Sequence, residues 1–238
     1  EYETYDENFK NEISKIVSDV SENIQKQIER KWNRIEKLVE EIEWPAESKK
    51  RLQNIVDINM AKITVAEYNR ALKEVGAEKI EMPSTITHSH YKTVGMKIEF
   101  RPPAEELKKI REWKVKGNDA AIKKWRQGRL DKLTAIQKAR GEFWITNKMT
   151  RDAIGEVKNA IENGVAEGKP VGEVVNDVKS IFDRYQVTPE QRSPQRLEAI
   201  TRTNISRAIN ESRRAAFADP ERSDEFPAMR LSAVMDEA

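Results

Sequence analysis

Arginine carries most of the chemistry that this chain puts at a regular spacing. Five arginines fall in Arg196–Phe217, RLEAITRTNISRAINESRRAAF: Arg196, Arg202, Arg207, Arg213 and Arg214, with Arg222 just beyond. No lysine follows Lys179, although lysine is common before it. The guanidinium is planar, permanently charged and fork-shaped, suited to carboxylate and phosphate partners. A second cationic group, Lys123, Lys124, Arg126 and Arg129, is interleaved with Trp113 and Trp125. Such a patch neutralises phosphates without reading sequence, so these four are the candidate DNA-binding residues. The alternative is that the tryptophans anchor a core and the lysines face water. His88 and His90 share one face of a strand-like segment at a spacing that can hold a metal, but no third ligand lies nearby and no metal site is assigned. There is no Gly-rich phosphate loop, no H-E-x-x-H, no G-x-S-x-G and no cysteine nucleophile. The many carboxylates alternate with Lys and Arg along helical faces, the pattern of solvent-facing pairs. The expectation is a non-enzyme with no catalytic residues, no cofactor and no small-molecule substrate.

The elements that must position these residues are helices. With 35% charged and 37% hydrophobic residues and only nine glycines, the 238 residues favour long water-facing helices over a sheet. Apolar positions Ile13, Val17, Val20, Ile24, Ile28, Trp32, Ile35, Val39 and Ile42 step by three or four, which predicts one helix over residues 7–43. The interval from Val17 to Ile28 is a stutter in a coiled-coil-like stripe. That stripe, Ile13, Val17, Val20, Ile24, Ile28 and Ile35 above all, needs a partner helix from this chain or another. Trp44-Pro45 ends it. A second helix is expected over 46–61. A third opens at a capping box of Thr64 and Glu67, with Ile63 and Tyr68 as hydrophobic staple, and stops at Gly76.

Residues 77–103 break the helical period. Met82-Pro83-Ser84 reads as a turn, and Val94, Met96, Ile98 and Phe100 alternate with polar residues, which predicts a β-hairpin near 85–100. Helices then follow over 103–116, 118–140, 148–167 and 171–185, punctuated by Gly117, Gly141 and Gly168. Thr188-Pro189 caps the start of the arginine helix. In that helix Leu197, Ile200, Ile205, Ala208, Ile209 and Ala216 form the apolar side, and Glu198–Arg202 and Arg207–Glu211 are acid–base pairs one turn apart. A loop over 218–230 leads to a short strand over 231–236. The fold class expected is mainly α, a long N-terminal helix plus a helical bundle, with a small hairpin and a C-terminal strand. Three regions result: 1–80 helical, 81–103 hairpin or linker, and 104–238 helical.

Charge is unevenly spread. Residues 1–50 hold 9 Lys/Arg against 13 Asp/Glu, whereas residues 101–150 hold 14 against 6. The middle of the chain is therefore the electrostatic candidate for contact with nucleic acid or an acidic protein face. No cysteine is present, which excludes a disulfide framework and thiolate metal sites. No apolar run approaches the ~20 residues of a membrane helix, so no membrane partner is expected. The acidic first residues do not read as a signal peptide, and the first residue is not Met, as in a trimmed or processed chain.

Ile200, Arg202, Thr203, Ala208, Asn210 and Arg213 are spaced I-x-R-T-x-x-x-x-A-x-N-x-x-R, and the strand that follows ends in Asp236. This pattern resembles the head-morphogenesis (Mu F-like) family, the minor head proteins of tailed phages. Upstream, Phe143-Trp144-Ile145-Thr146, a helix with Ile154, Val157 and Ile161, and Glu167-Gly168-Lys169-Pro170 are similar to the segment before that motif. The likeness covers roughly 103–238. Asn204 stands where the family usually has Glu, and the 238 residues stop before the Cys or His and the Asp-Gly that close the motif. The resemblance implies a virion protein of the capsid interior, associated with the portal protein and other head proteins. It would be made in the host cytoplasm and would assist head assembly and DNA packaging or ejection. It also implies that Arg202, Thr203, Asn210, Arg213 and Asp236 are structural, with Arg202 and Asp236 paired to fasten helix to strand. Two rivals stand beside it: a helical module that binds nucleic acid without sequence preference, and a carrier for an enzymatic or toxin domain beyond residue 238.

Overall fold

The computed structural model describes residues 2–80, 102–186 and 196–219, with side chains from residue 7 onward and, in the last segment, from residue 199. The expected hairpin, the turn at 82–84, His88, His90, the Thr188 cap and the strand ending at Asp236 lie outside the described residues. Within them the chain is mainly helical, with no strand. The helices are α1 (Tyr2–Lys31), α2 (Ile35–Glu41), α3 (Ala46–Glu74), α4 (Ala104–Val115), α5 (Asp119–Gly141), α6 (Thr150–Ala166), α7 (Val171–Asp183) and α8 (Arg196–Phe217). The span expected for the arginine helix is the span found.

The N-terminal helix is broken where its stripe meets Trp32. A tight 3₁₀ turn over Trp32–Arg34 separates α1 from α2, so the expected single rod over 7–43 is two helices. Ile13, Val17, Val20, Ile24 and Ile28 are buried to within 1% exposure, and Ile35 packs at the edge of the same cluster. Their cover comes from this chain: α1 lies against α3, α7 and α8. The partner helix is therefore internal, and the stripe does not present a free docking face.

The helices expected over 46–61 and from Thr64 onward are one helix, α3. The capping box does not form. Thr64 is wholly buried in mid-helix and donates its hydroxyl to the carbonyl of Met60 at 2.7 Å, which removes its need for a cap position. Glu67 instead faces arginines, as described below. α3 is the central element, packed by α1, α5 and α8, which explains buried residues around most of its circumference. It does end at Gly76: with φ at 69°, that glycine lets Ala77 N–H reach Leu72 O at 2.8 Å and Gly76 N–H reach Lys73 O at 3.1 Å.

Gly141, expected as a stop, lies inside an unbroken helical rod. α5 runs into a π-helical stretch, Glu142–Met149, and then into α6. The glycine is there for close approach. A Cβ at Gly141 would sit 2.7 Å from Val56 Cγ1 and 3.0 Å from Met60 Cγ, so only hydrogen fits where the rod crosses α3. The π stretch then turns Ile145 and Met149 into the core and leaves Phe143 and Trp144 partly exposed, edge to face at 5.2 Å. One large cluster, from Phe9 through Phe182 to Ile205, holds the bundle. A smaller one, around Tyr68, Leu72, Leu130 and Leu133, joins α3, α5 and the end of α8.

Candidate interaction surfaces

The apolar residues of α8 and its polar residues act together on the neighbouring helices. Ile205, Ala208 and Thr201 are wholly buried, and Asn204, where the family pattern has Glu, is buried with its amide donating to Ile200 O at 2.8 Å. Thr203 donates back to Ala199 O at 2.7 Å. Arg213 reaches across to α3. It forks onto Glu74 at 2.8 and 3.0 Å, lies 3.7 Å from Glu67 and stacks over Phe217 at 5.4 Å. Glu67 also faces Arg70 at 3.5 Å. Glu211 does not keep to Arg207 on its own helix. Its carboxylate is taken by Arg140 and Gln137 of α5.

Arg202, Arg207, Arg214 and Asn210 face outward instead, along a shallow surface that also includes Thr203 and Ser206. Arg202 is exposed, and its expected partner Asp236 lies outside the described residues.

The four candidate DNA-binding residues of α5 separate. Lys123 and Lys124 are exposed. Arg126 is buried, forking onto Asp219 through Nε–Oδ2 at 2.6 Å and Nη2–Oδ1 at 3.2 Å, with side-chain exposures of 7% and 1%. It clasps the chain just past α8 to the middle of α5 and cannot touch a phosphate. A signal for this was present: Arg126 stands in the stripe Ile122, Arg126, Leu130, Leu133, where its i−4 and i+4 neighbours, Ile122 and Leu130, are both buried and apolar. A cation in that place requires a buried carboxylate. Arg129 is half-buried over the Trp125 ring at 5.3 Å. Burial lowers its pKa from the usual guanidinium value, against the opposing pull of Tyr68, Asp219 and Glu106. Trp125 in turn donates its indole N–H to Glu106 of α4 at 3.2 Å, so it joins two helices and is only partly core. Trp113 is likewise half-buried.

A second buried ionic contact, Lys138 to Asp57 at 3.9 Å, ties α5 to α3. Beneath Arg129 lies Tyr68, wholly buried, whose hydroxyl has no hydrogen-bond partner among the described residues. Burial, foremost, pushes its pKa from 10.0 up to about 12. A raised folded-state value means that the contribution is intact below pH 10.0 and is lost as pH rises to about 12. We expect Tyr68→Phe to leave stability at neutral pH unchanged or slightly higher, because it removes an unsatisfied buried hydroxyl. The variant should also lose the part of the alkaline destabilisation between those two pH values that Tyr68 causes. Urea unfolding of both proteins across that range reads this directly; a loss of more than about 1.5 kcal/mol at neutral pH would mean that the hydroxyl is bonded.

Between α4 and α5, closed at one side by Ala215 of α8, lies a groove of about 320 Å³. Leu133, Ile136 and Ala215 form its floor, and Lys124, Arg129 and Lys132 stand along it opposite Glu106. Among the described residues no three His, Cys, Asp or Glu side chains come together to hold a metal, and no helix is long and apolar enough to cross a membrane.

No family model, curated protein or solved structure matches this chain.

Proposed function

We propose that this protein is a minor head protein of a tailed phage, held in the capsid interior at the portal, where it assists head assembly and DNA packaging or ejection. One observation carries the reading. Two residues of the motif helix fasten it to the bundle: Arg213 onto Glu74 and Glu67 of α3, with Ala208 packed into the core. That use suits a scaffold that presents surfaces. The exposed arginines of α8 and the exposed lysines of α4 and α5 give the cationic surface that would face the portal and packaged DNA. α4 supports this, since only Ile110 of its residues is buried while Lys108, Lys109, Arg111 and Lys114 face solvent.

The test is co-expression with a portal protein from the same genome. The chain is expected to co-purify with the portal through gel filtration and to be found in assembled heads. Heads that form, fill and infect normally without the protein, together with no portal association, would overturn the reading.

A further inference from the structure

We infer that copies of this chain join end to end, the basic tip of the α4–α5 hairpin in one copy seating on the acidic α6–α7 turn of another. The inference goes beyond the proposed function and does not depend on it.

α5, the π stretch and α6 form one helical rod, about 70 Å long at ~1.5 Å per residue. Each end of the rod folds back into a helical hairpin. At one end Gly117, with φ at 65°, lets Asn118 N–H reach Trp113 O at 2.9 Å and joins α4 to α5. At the other Gly168, with φ at 68°, lets Lys169 N–H reach Gly164 O at 2.8 Å and joins α6 to α7. Both turns present an exposed valine: Val115 is 87% exposed and Val165 40%. The α4–α5 end also stands clear of the bundle. α4 packs on α5, and their buried Ile110 and Ile122 belong to neither core cluster.

The two ends carry opposite charge. Residues 107–124 hold seven Lys/Arg against two Asp/Glu, and Lys108, Lys109, Arg111, Lys116, Lys123 and Lys124 are exposed. Residues 159–178 hold four Asp/Glu against one Lys, with Glu162, Glu167 and Glu173 exposed. That lysine, Lys169, is itself taken by Glu167 and Asp177, each at 3.1 Å. The rod holds the two surfaces apart, so they do not meet within one copy. Between copies they match in sign, and each brings a valine to the contact. Such an interface uses different surfaces on the two partners, so it propagates into a chain or closes into a ring.

A nucleic acid is the other occupant that the basic tip could attract. It would make no use of the acidic turn or Val165, and the carboxylates there would repel it. A second copy uses both ends and supplies them in equal number. Exposed charges are individually weak and are screened by salt, so the contact should depend on concentration and on ionic strength.

Lys116→Glu with Lys123→Glu reverses the basic tip, and Glu162→Lys with Glu173→Lys reverses the acidic turn; all four side chains are exposed. Sedimentation velocity of the full chain reads the association. The parent is expected to form larger species as its concentration rises in about 50 mM salt, and to be monomeric above about 0.5 M. Each reversed variant alone should associate at least about tenfold more weakly. An equimolar mixture of the two should regain the parent's association, because the reversed tip meets the reversed turn and the two native ends still match. Circular dichroism should match the parent for both variants. A parent that is monomeric at every concentration in low salt would overturn the inference. So would variants that associate as the parent does, or folded variants whose mixture stays monomeric. A short DNA duplex that binds the tip of a monomeric parent would assign that end to nucleic acid instead. Portal co-purification is scored separately. A monomeric parent that still co-purifies with the portal defeats only the end-to-end contact, and an associating parent without a portal complex defeats only the head-protein reading.

Discussion

Replacing Ile24 and Ile28 together by Asp should unfold the bundle. Both side chains are buried to within 1% exposure on the face of α1 that meets the rest of the chain. Losing the packing of a buried isoleucine costs roughly 2–5 kcal/mol, and two such losses approach the ~5–15 kcal/mol by which a whole domain is stable. The introduced carboxylates would add a desolvation penalty, because both positions lie inside the large apolar cluster. The expected result is a chain with little helical signal at 222 nm and no cooperative melt. A control separates internal burial from docking on a partner. Glu22→Gln and Glu29→Gln lie on the exposed side of the same helix and should change the midpoint by no more than about 0.5 kcal/mol in equivalent stability. If the double Asp variant stays folded and loses only an association with another protein, the stripe is an external interface and the fold described for α1 is wrong.

The helices of this chain are legible in its sequence because apolar spacing is a local signal. The stripe from Ile13 to Ile28, the helix Arg196–Phe217 and the glycine stops at 76, 117 and 168 all follow from residues within a few turns of one another. What failed was punctuation that depends on distant neighbours. Thr64 with Glu67 has the spacing of a capping box, yet α3 is covered on several sides. Tertiary burial therefore carries the helix through a position where an isolated peptide would stop. Gly141 reads as a breaker and is instead the one residue small enough to pass Val56 and Met60. The ionic contacts were legible only in half. Arg126 in an apolar stripe announces that some carboxylate is buried with it, but nothing within a few turns identifies Asp219, 93 residues away. The α5 patch failed for the same reason. Four cations close in sequence are two exposed lysines, one clasp and one wall of a groove, and only the packing of α4 and α8 decides which is which.

The Arg126–Asp219 clasp should show an unequal pair of losses, and the inequality tests the charge arrangement under the groove. Removing one member of a buried ion pair costs about 3–5 kcal/mol, because the other is left in a poorly solvated place. In a chain of this size that is a fall in melting temperature of roughly 10 °C. Arg126→Ala leaves Asp219 with Arg129 still near enough to offset part of its charge. Asp219→Ala removes the carboxylate that Arg126 forks onto and that also acts on Arg129. Asp219→Ala should therefore be the more damaging, and the double variant should lose clearly less than the two single losses added together. The volume-conserving pair Arg126→Met with Asp219→Leu should restore most of the stability, since replacing a buried ion pair by apolar groups is often neutral or favourable. Thermal melts of the four variants decide it. Equal and additive losses would mean that the two residues act independently, and Arg126 would then return to the residues open to a phosphate.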